Sequence, residues 1–234
     1  MSADPNTFVL SVGGSLVVPQ GGIDILFLEA FNDFIRKQVS EKKRRFFLVI
    51  GGGATARHYI DAGVGVVKHK ITDEDLDWLG IHTTRLNAHL VRTIFRDIAD
   101  PRVIKHYEII LKIDQPVVVA AGWKPGWSTD YCAVTICQDY NIKSLVNMTN
   151  VDQVYDKDPK KHSDAKPMVH ISWKDYRTLS GDKWIPGMNL PFDPIASRLA
   201  SELGVTVKIL NGKKLDNLAL ALDSEDFFGT TIGG

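Results

Sequence analysis

Five short runs of apolar, largely β-branched residues recur along the chain: Thr7–Val12, Phe46–Ile50, Pro116–Ala120, Ser144–Met148 and Val205–Ile209. Each is nearly continuous in hydrophobicity and flanked by glycine or polar residues, which is the pattern of strands buried on both faces. Between them the period changes. Leu90, Val91, Ile94, Phe95 and Ile98 fall on one face of a helix, and so do Ile195, Leu199 and Leu203, backed by Ala196 and Ala200. Gly204 stands where a helix stop is expected before the strand at Val205. Strands alternating with helices require crossover connections, so the pattern predicts an α/β fold with a mostly parallel central sheet. No internal repeat or low-complexity linker divides the chain, and residues 1–234 read as one domain. The stretch Gln153–Pro167, rich in Lys, Asp and Pro, reads as the most loop-like region and a candidate flap.

Composition narrows the classes of partner. The 28 Lys and Arg balance the 28 Asp and Glu, and a chain without net charge is not built for nucleic acid or an anionic membrane. No apolar stretch approaches the ~20 residues that cross a bilayer. The first eight residues lack the basic start and apolar run of a signal peptide, and the two cysteines, Cys132 and Cys137, are too few and too close for a secreted disulfide framework. The expected location is therefore cytoplasmic. Lys42-Lys43-Arg44-Arg45 reads as a solvated helix end, since no aromatic residues interleave with it as in a nucleic-acid patch. The seven histidines show no metal-ligand spacing, so no residue is assigned to a metal.

Three glycine-rich turns carry the candidate chemistry. Gly13-Gly14-Ser15 follows the first strand, Gly51-Gly52-Gly53 the second, and Gly122-Trp123-Lys124-Pro125-Gly126-Trp127-Ser128-Thr129-Asp130 the strand ending near Ala120. All three fall at the carboxyl ends of expected parallel strands, where ligands bind in open α/β sheets. Glycine lets the backbone approach a ligand, and a following helix adds its positive N-terminal end, so such turns suit phosphate. Neither the Walker signature nor the dinucleotide fingerprint occurs. A single turn of this kind is explained as readily by tight connection as by binding; three at one edge favour binding.

The motifs, in their order, resemble a known family. Val12-Gly13-Gly14-Ser15-Leu16, the run from Gly51 to Ile60, Leu79-Gly80-Ile81 with Thr84-Arg85 and Asn87-Ala88, Pro125 to Asp130, and the run from Thr149 to Lys160 together resemble the amino acid kinase superfamily. Within it they resemble the uridylate (UMP) kinases, especially the archaeal type. The resemblance extends from about Phe8 to Ile232. It implies one central sheet with helices on both faces, a three-layer sandwich. The acceptor would bind to the N-terminal half, about 1–140, and ATP to the C-terminal half, about 141–234. Gly13, Gly14 and Ser15 would hold ATP phosphates, and Gly53 and Arg57 would contact ATP. Thr149, Asn150, Tyr155 and Asp158 would form the adenosine site. Gly52 would contact UMP, Asp77 would read it through its ribose hydroxyls, and Trp123, Lys124, Pro125, Gly126, Trp127, Ser128 and Thr129 would wrap its phosphate and base. Hexamers are common in the family. Three positions depart from its pattern: a first-strand lysine of many relatives, absent also from archaeal-type members, is Ser11; a lysine common in archaeal-type sequences is Ala54; and Asp-Gly-Val-Tyr reads Asp152-Gln153-Val154-Tyr155.

The implied reaction is phosphoryl transfer from ATP, with Mg²⁺ bridging its β- and γ-phosphates, to UMP. A phosphate acceptor is already ionised at neutral pH, so positioning and charge neutralisation suffice and no general base is needed. Arg57 and Lys124 are the candidate catalytic cations. Asp193, in Pro191-Phe192-Asp193-Pro194, begins an expected helix; it either orients a cation or acts through Mg²⁺, or is only an N-cap. Trp123 and Trp127 either stack on a base or pack the loop. Two other functions stay open from sequence: a related kinase with another small phosphate or carboxylate acceptor, and a non-catalytic binder of nucleotides or anions.

Overall fold

The computed structural model describes residues 5–157, 159, 161–181 and 191–233. The chain begins β1 (Thr7–Val12), α1 (Gly14–Val17), α2 (Ile25–Lys42), β2 (Arg45–Ile50), α3 (Gly53–Val66) and α4 (Asp73–Ile94). It continues β3 (Ala99–Ile104), β4 (Val117–Ala120), α5 (Thr129–Asp139), β5 (Ser144–Thr149), β6 (Val154–Tyr155), β7 (Pro167–Met168) and β8 (His170–Ile171). It closes with α6 (Trp173–Ser180), α7 (Pro194–Leu203), β9 (Thr206–Asn211), α8 (Leu215–Asp223) and β10 (Thr230–Ile232).

Eight strands form one sheet in the order β3-β4-β2-β1-β5-β9-β10-β8, parallel except where β10 runs against β9. β6 and β7 pair separately. From central β1 the next strands lie to one side, and from β5 onward the sheet grows on the other. That reversal creates a crevice at the carboxyl ends of the strands, where ligands bind in such sheets.

The near-continuous apolar runs follow from covering both faces. Along β1, Phe8, Leu10 and Val12 enter one core with α1, α2, α4 and α8, while Val9 enters a second core with α5, α6 and α7. β2 alternates in the same way, Phe46, Leu48 and Ile50 against Phe47 and Val49. Each fully buried side chain of this kind contributes about 1.5–3 kcal/mol, so both layers hold the strand ends in place. The arrangement is the expected helix–sheet–helix sandwich.

The structure moves several expected features. The five strands are present, β1 with the expected bounds and the other four with ends shifted by one or two residues, but β3 was hidden because Asp100-Pro101-Arg102 breaks its hydrophobic run. Pro101 is tolerated there since β3 lies at the sheet edge. The helical face ending at Ile98 is shorter: α4 stops at Ile94, and Ile98 packs on the core from the turn into β3. On α7 the deeply buried residues are Ala196, Ser197 and Ala200, while Leu199 and Leu203 are only partly covered, because small side chains let the helix approach closely. Gly204 ends α7 with φ 61°, as expected. The Lys42–Arg45 run is not a solvated helix end throughout. Arg44 is buried, with its guanidinium donating to the Leu222 carbonyl at 3.1 Å and to Asp223 at 2.7 Å. It thereby neutralises the C-terminal end of α8. The supposed loop 153–167 contains β6 and opens onto β7.

Candidate active site

The first two glycine turns touch each other through their backbones. A Cβ at Gly14 would lie 2.0 Å from the Gly53 amide nitrogen and 2.6 Å from the Gly51 carbonyl carbon. Gly53 has φ +65°, and a Cβ there would lie 2.3 Å from the Gly14 carbonyl oxygen. No other residue fits at these two positions. The Gly13 amide donates to Met148 O at 2.9 Å and the Gly51 amide to Val12 O at 3.0 Å. Those two glycines thus permit close approach without offering their N–H groups to a ligand.

One helix fastens the second and third turns. α4 starts in a capping box between Thr72 and Asp75, and its inner face then carries a row of hydrogen-bonding side chains. Buried Asn87 donates from Nδ2 to Gly51 O at 2.9 Å and Gly52 O at 3.0 Å. The Gly122 amide donates to Thr84 Oγ1 at 2.8 Å. Arg85 Nη2 donates to Trp123 O at 2.7 Å, and its Nε to Gly122 O at 3.3 Å. Asp77 Oδ2 accepts from the Gly126 amide at 2.7 Å. Thr84, Arg85 and Asn87 are part of the sequence pattern, yet only the fold reveals them as the brace that holds two loops at one height.

Between α3, α4 and the third turn lies a cavity of about 580 Å³. Gly52, Asp77, Trp127, Ser128 and Thr129 line it, as expected of an acceptor site, and so do Gly53 and Arg57, expected to face ATP. Among the described residues Arg57 is the one cation in its wall. Ile60, Gly80 and Ile81, which belong to the quoted motifs but were given no role, also line it, and Asp61, Asp73 and Leu76 complete much of the wall without having been singled out in the sequence. For these last three the sequence offers only the helical spacing of α3 and α4, which reads equally as surface.

Trp123, Lys124, Pro125 and Gly126 are not brought to the cavity wall. Trp123 is a core residue, 5.8 Å from the Tyr107 ring and 4.6 Å from Trp127, so of the two tryptophans only Trp127 faces the cavity. The Lys124 ammonium sits 3.9 Å from the centre of the Trp123 ring, a cation–π contact on the loop itself.

On the other side of β1 the strand ends are stitched together: Gly13 to Met148 as above, and the Gly212 amide to Thr149 O at 2.9 Å. Gly14 and Ser15 open α1 here, Thr149 ends β5, Asn150 is exposed beyond it, and Tyr155 lies in β6. Gly14 and Ser15 thus follow β1, and Thr149, Asn150 and Tyr155 end or follow β5, the strand beside it in the sheet. Asp158 lies outside the described residues.

A model of the amino acid kinase family matches residues 6–211. The chain belongs to the amino acid kinase family. This kinase-family chain is 32% identical over 229 residues to a uridylate kinase of Thermoplasma volcanium, with 97% of each covered. It is 32% identical over 228 residues to a uridylate kinase of Methanothermobacter thermautotrophicus, covering 96% of this chain and 97% of that one. The solved uridylate kinase of Archaeoglobus fulgidus superposes with a TM-score of 0.81 at 26% identity, over 97% of this chain and 99% of that one.

In this amino acid kinase family member, a polar cluster lies where α5 and α7 begin. Ser128 Oγ caps α5 by accepting from the Tyr131 amide at 3.1 Å, and Asp193 Oδ1 caps α7 by accepting from Ala196 at 2.7 Å. Between them Asp130 accepts from Ser11 Oγ at 2.9 Å and from the Asp193 amide at 3.2 Å. Removal from water, reinforced by repulsion from Asp193, pushes the Asp130 carboxyl up to about 7, against the lowering effect of these bonds. Burial raises Asp193 as well, opposed by its backbone donors. Ser11, where many relatives have lysine, therefore serves as a neutral donor to a carboxyl that is itself readily neutralised. Ala54 is buried in the apolar core, and among the described residues no group of three or more His, Cys, Asp or Glu is gathered as a metal cage. No helix among them is long and apolar enough to cross a membrane.

Proposed function

We propose that this chain transfers the γ-phosphoryl group of ATP to UMP, giving UDP and ADP. The observation that carries the proposal is the cavity built where two interlocked glycine turns meet α3 and α4, with Arg57 as its cation. Its relatives named uridylate kinases span nearly the whole chain.

Each part then has a task. The acceptor phosphate lies at the N-terminal end of α5, beside Ser128 and Thr129, where free amides and the helix dipole favour an anion. Asp77, one oxygen already committed to Gly126, offers the other to ribose hydroxyls. Trp127 and Ile81 supply apolar wall for the base. Gly14, Ser15, Gly53 and Arg57 hold the ATP phosphates at the junction of the two halves, while Thr149, Asn150, Tyr155 and Asp158 receive adenosine. Mg²⁺ bound with ATP would supply charge neutralisation at the transferring phosphates, and Asp193, with Asp130 once that carboxyl ionises, would hold such an ion directly or through its waters. Lys124 enters only as a brace of the acceptor loop through the Trp123 ring. With the acceptor already ionised, alignment and charge neutralisation make up the catalysis.

Homo-oligomerisation, a hexamer by resemblance, belongs to the same proposal and is measured by sedimentation. Its support is α3, which buries only Ala54 in its own chain and exposes Tyr59, Val64 and Val66. A cytoplasmic location is likewise proposed.

The decisive experiment is a coupled ADP-release assay with Mg-ATP over UMP, CMP, dUMP, isopentenyl phosphate and acetylglutamate. UMP-dependent ADP is expected. ADP formation at background level with every acceptor would remove the proposal, and turnover confined to a non-nucleotide acceptor would replace it.

A further inference from the structure

The segment 150–155 leaves β5 at the proposed ATP edge and carries Asn150 and Tyr155. It is fastened at two neighbouring places. Asp152 Oδ1 accepts from Asn211 Nδ2 at 3.1 Å and from Lys214 Nζ at 2.8 Å. Gln153, the residue that stands where the family pattern has glycine, is 6% exposed, and its Nε2 donates to Gly229 O at 3.0 Å. The next amide, Val154, donates to Thr230 Oγ1 at 2.8 Å, and that hydroxyl donates onward to Met168 O at 2.6 Å.

The surface that receives these bonds has little freedom to yield. Asn217 bonds both polar groups of Phe228, donating to its carbonyl at 2.8 Å and accepting from its amide at 2.7 Å. A Cβ at Gly229 would lie 2.4 Å from Ile209 O, so the turn is pressed onto β9. Gly229 is itself buried, and its carbonyl would lose this donor if residue 153 were glycine. Nor does the loop need glycine here. Among the described residues only Lys43, Asn141 and Ser224 have positive φ without being glycine, so Gln153 keeps an ordinary backbone conformation.

We infer that Gln153 is a positioning residue of the ATP side: its bond to Gly229, with that of Val154 to Thr230, clamps the Asn150–Tyr155 loop to the C-terminal strand at the height the adenosine requires. The inference rests on the phosphotransfer proposal only in taking ATP as the donor. In place of a flexible glycine, this chain fixes the loop by an amide side chain.

Gln153→Met tests it, keeping the length and bulk of the side chain while removing the donor; Gln153→Gly installs the family's residue and decides by the same criteria if the methionine variant does not fold. Binding of a β,γ-imido ATP analogue to the full chain is measured by calorimetry, alongside KM for ATP and UMP, kcat and thermal unfolding. Loss of one buried hydrogen bond predicts analogue binding weakened about fivefold to tenfold, with ATP KM raised by the same factor and UMP KM unchanged within about twofold. Equal shifts for both substrates, or a lowered Tm with unchanged analogue affinity, would overturn the inference, since packing alone produces those results. A wild-type chain that binds the analogue but phosphorylates no acceptor would remove the UMP kinase proposal and leave Gln153 to be decided by the binding ratio. A wild-type chain that fails to bind the analogue overturns both.

Discussion

Replacing Gly14 by alanine adds one methyl group where two phosphate turns are in backbone contact. That methyl would stand 2.0 Å from the Gly53 nitrogen, whereas carbon contacts are comfortable near 3.5 Å, so the turns must separate by about 1.5 Å. Overpacking costs about 1–3 kcal/mol where side chains can swing aside. Here the obstacles are backbone atoms held from several directions: Gly51 N to Val12 O at 3.0 Å, Ala54 N to Val18 O at 2.8 Å, and both carbonyls on Asn87. The cost should therefore reach the upper end, which for a chain of this size lowers Tm by about 6–12 °C. Turnover suffers more, because a displacement of about 1 Å at reacting groups can cost on the order of 100-fold. The assay is ADP release with UMP and Mg-ATP on protein whose fold is checked by circular dichroism and thermal melting. Gly21→Ala is the control, since Gly21 is exposed between α1 and α2 with nothing within 4 Å of an added Cβ; it should leave turnover and the melt unchanged. Gly14→Ala with turnover within about threefold of wild type and an unshifted melt would refute the claim that the two turns form one interlocked cradle.

Three further outcomes follow from other parts of the site. Asn87→Ala removes two bonds to the second glycine turn and should cost about 2 kcal/mol, or about 4–8 °C in Tm. It should also raise the KM for UMP more than that for ATP, and equal changes in both would deny α4 its role as a brace of the acceptor side. Asp130, pushed up to about 7, keeps its proton in the folded chain while the unfolded chain has lost it, so stability falls as pH rises from about 4 to about 7. Denaturant melts at pH 5 and pH 8 should therefore show a smaller loss for Asp130→Asn than for wild type, and parallel losses would show that burial does not control this carboxyl. Lys124→Ala, which removes a cation held on Trp123 outside the cavity wall, should change kcat less than tenfold; a loss of 100-fold or more in the coupled assay would restore Lys124 to the reacting centre.

Much of this protein was written in local pattern. Strands covered on both faces must be apolar without interruption, so β1, β2, β4, β5 and β9 announced themselves, and glycine turns at their ends marked the binding edge because strand direction in a parallel sheet is shared. Edge elements obey no such rule: β3 contains Asp100, Pro101 and Arg102 because one side of an edge strand needs no partner. What the tertiary structure alone decided is which members of a motif face the same space. Trp123 and Trp127 are four residues apart in one turn, yet Trp123 joins the core and Trp127 the cavity. Asp61 and Asp73, anonymous on helix surfaces, became cavity wall, and Arg44 was drawn out of a charged run to neutralise a distant helix end. Periodicity records which face of an element is covered, whereas the partners across that face come from remote parts of the chain, and only folding brings them within reach.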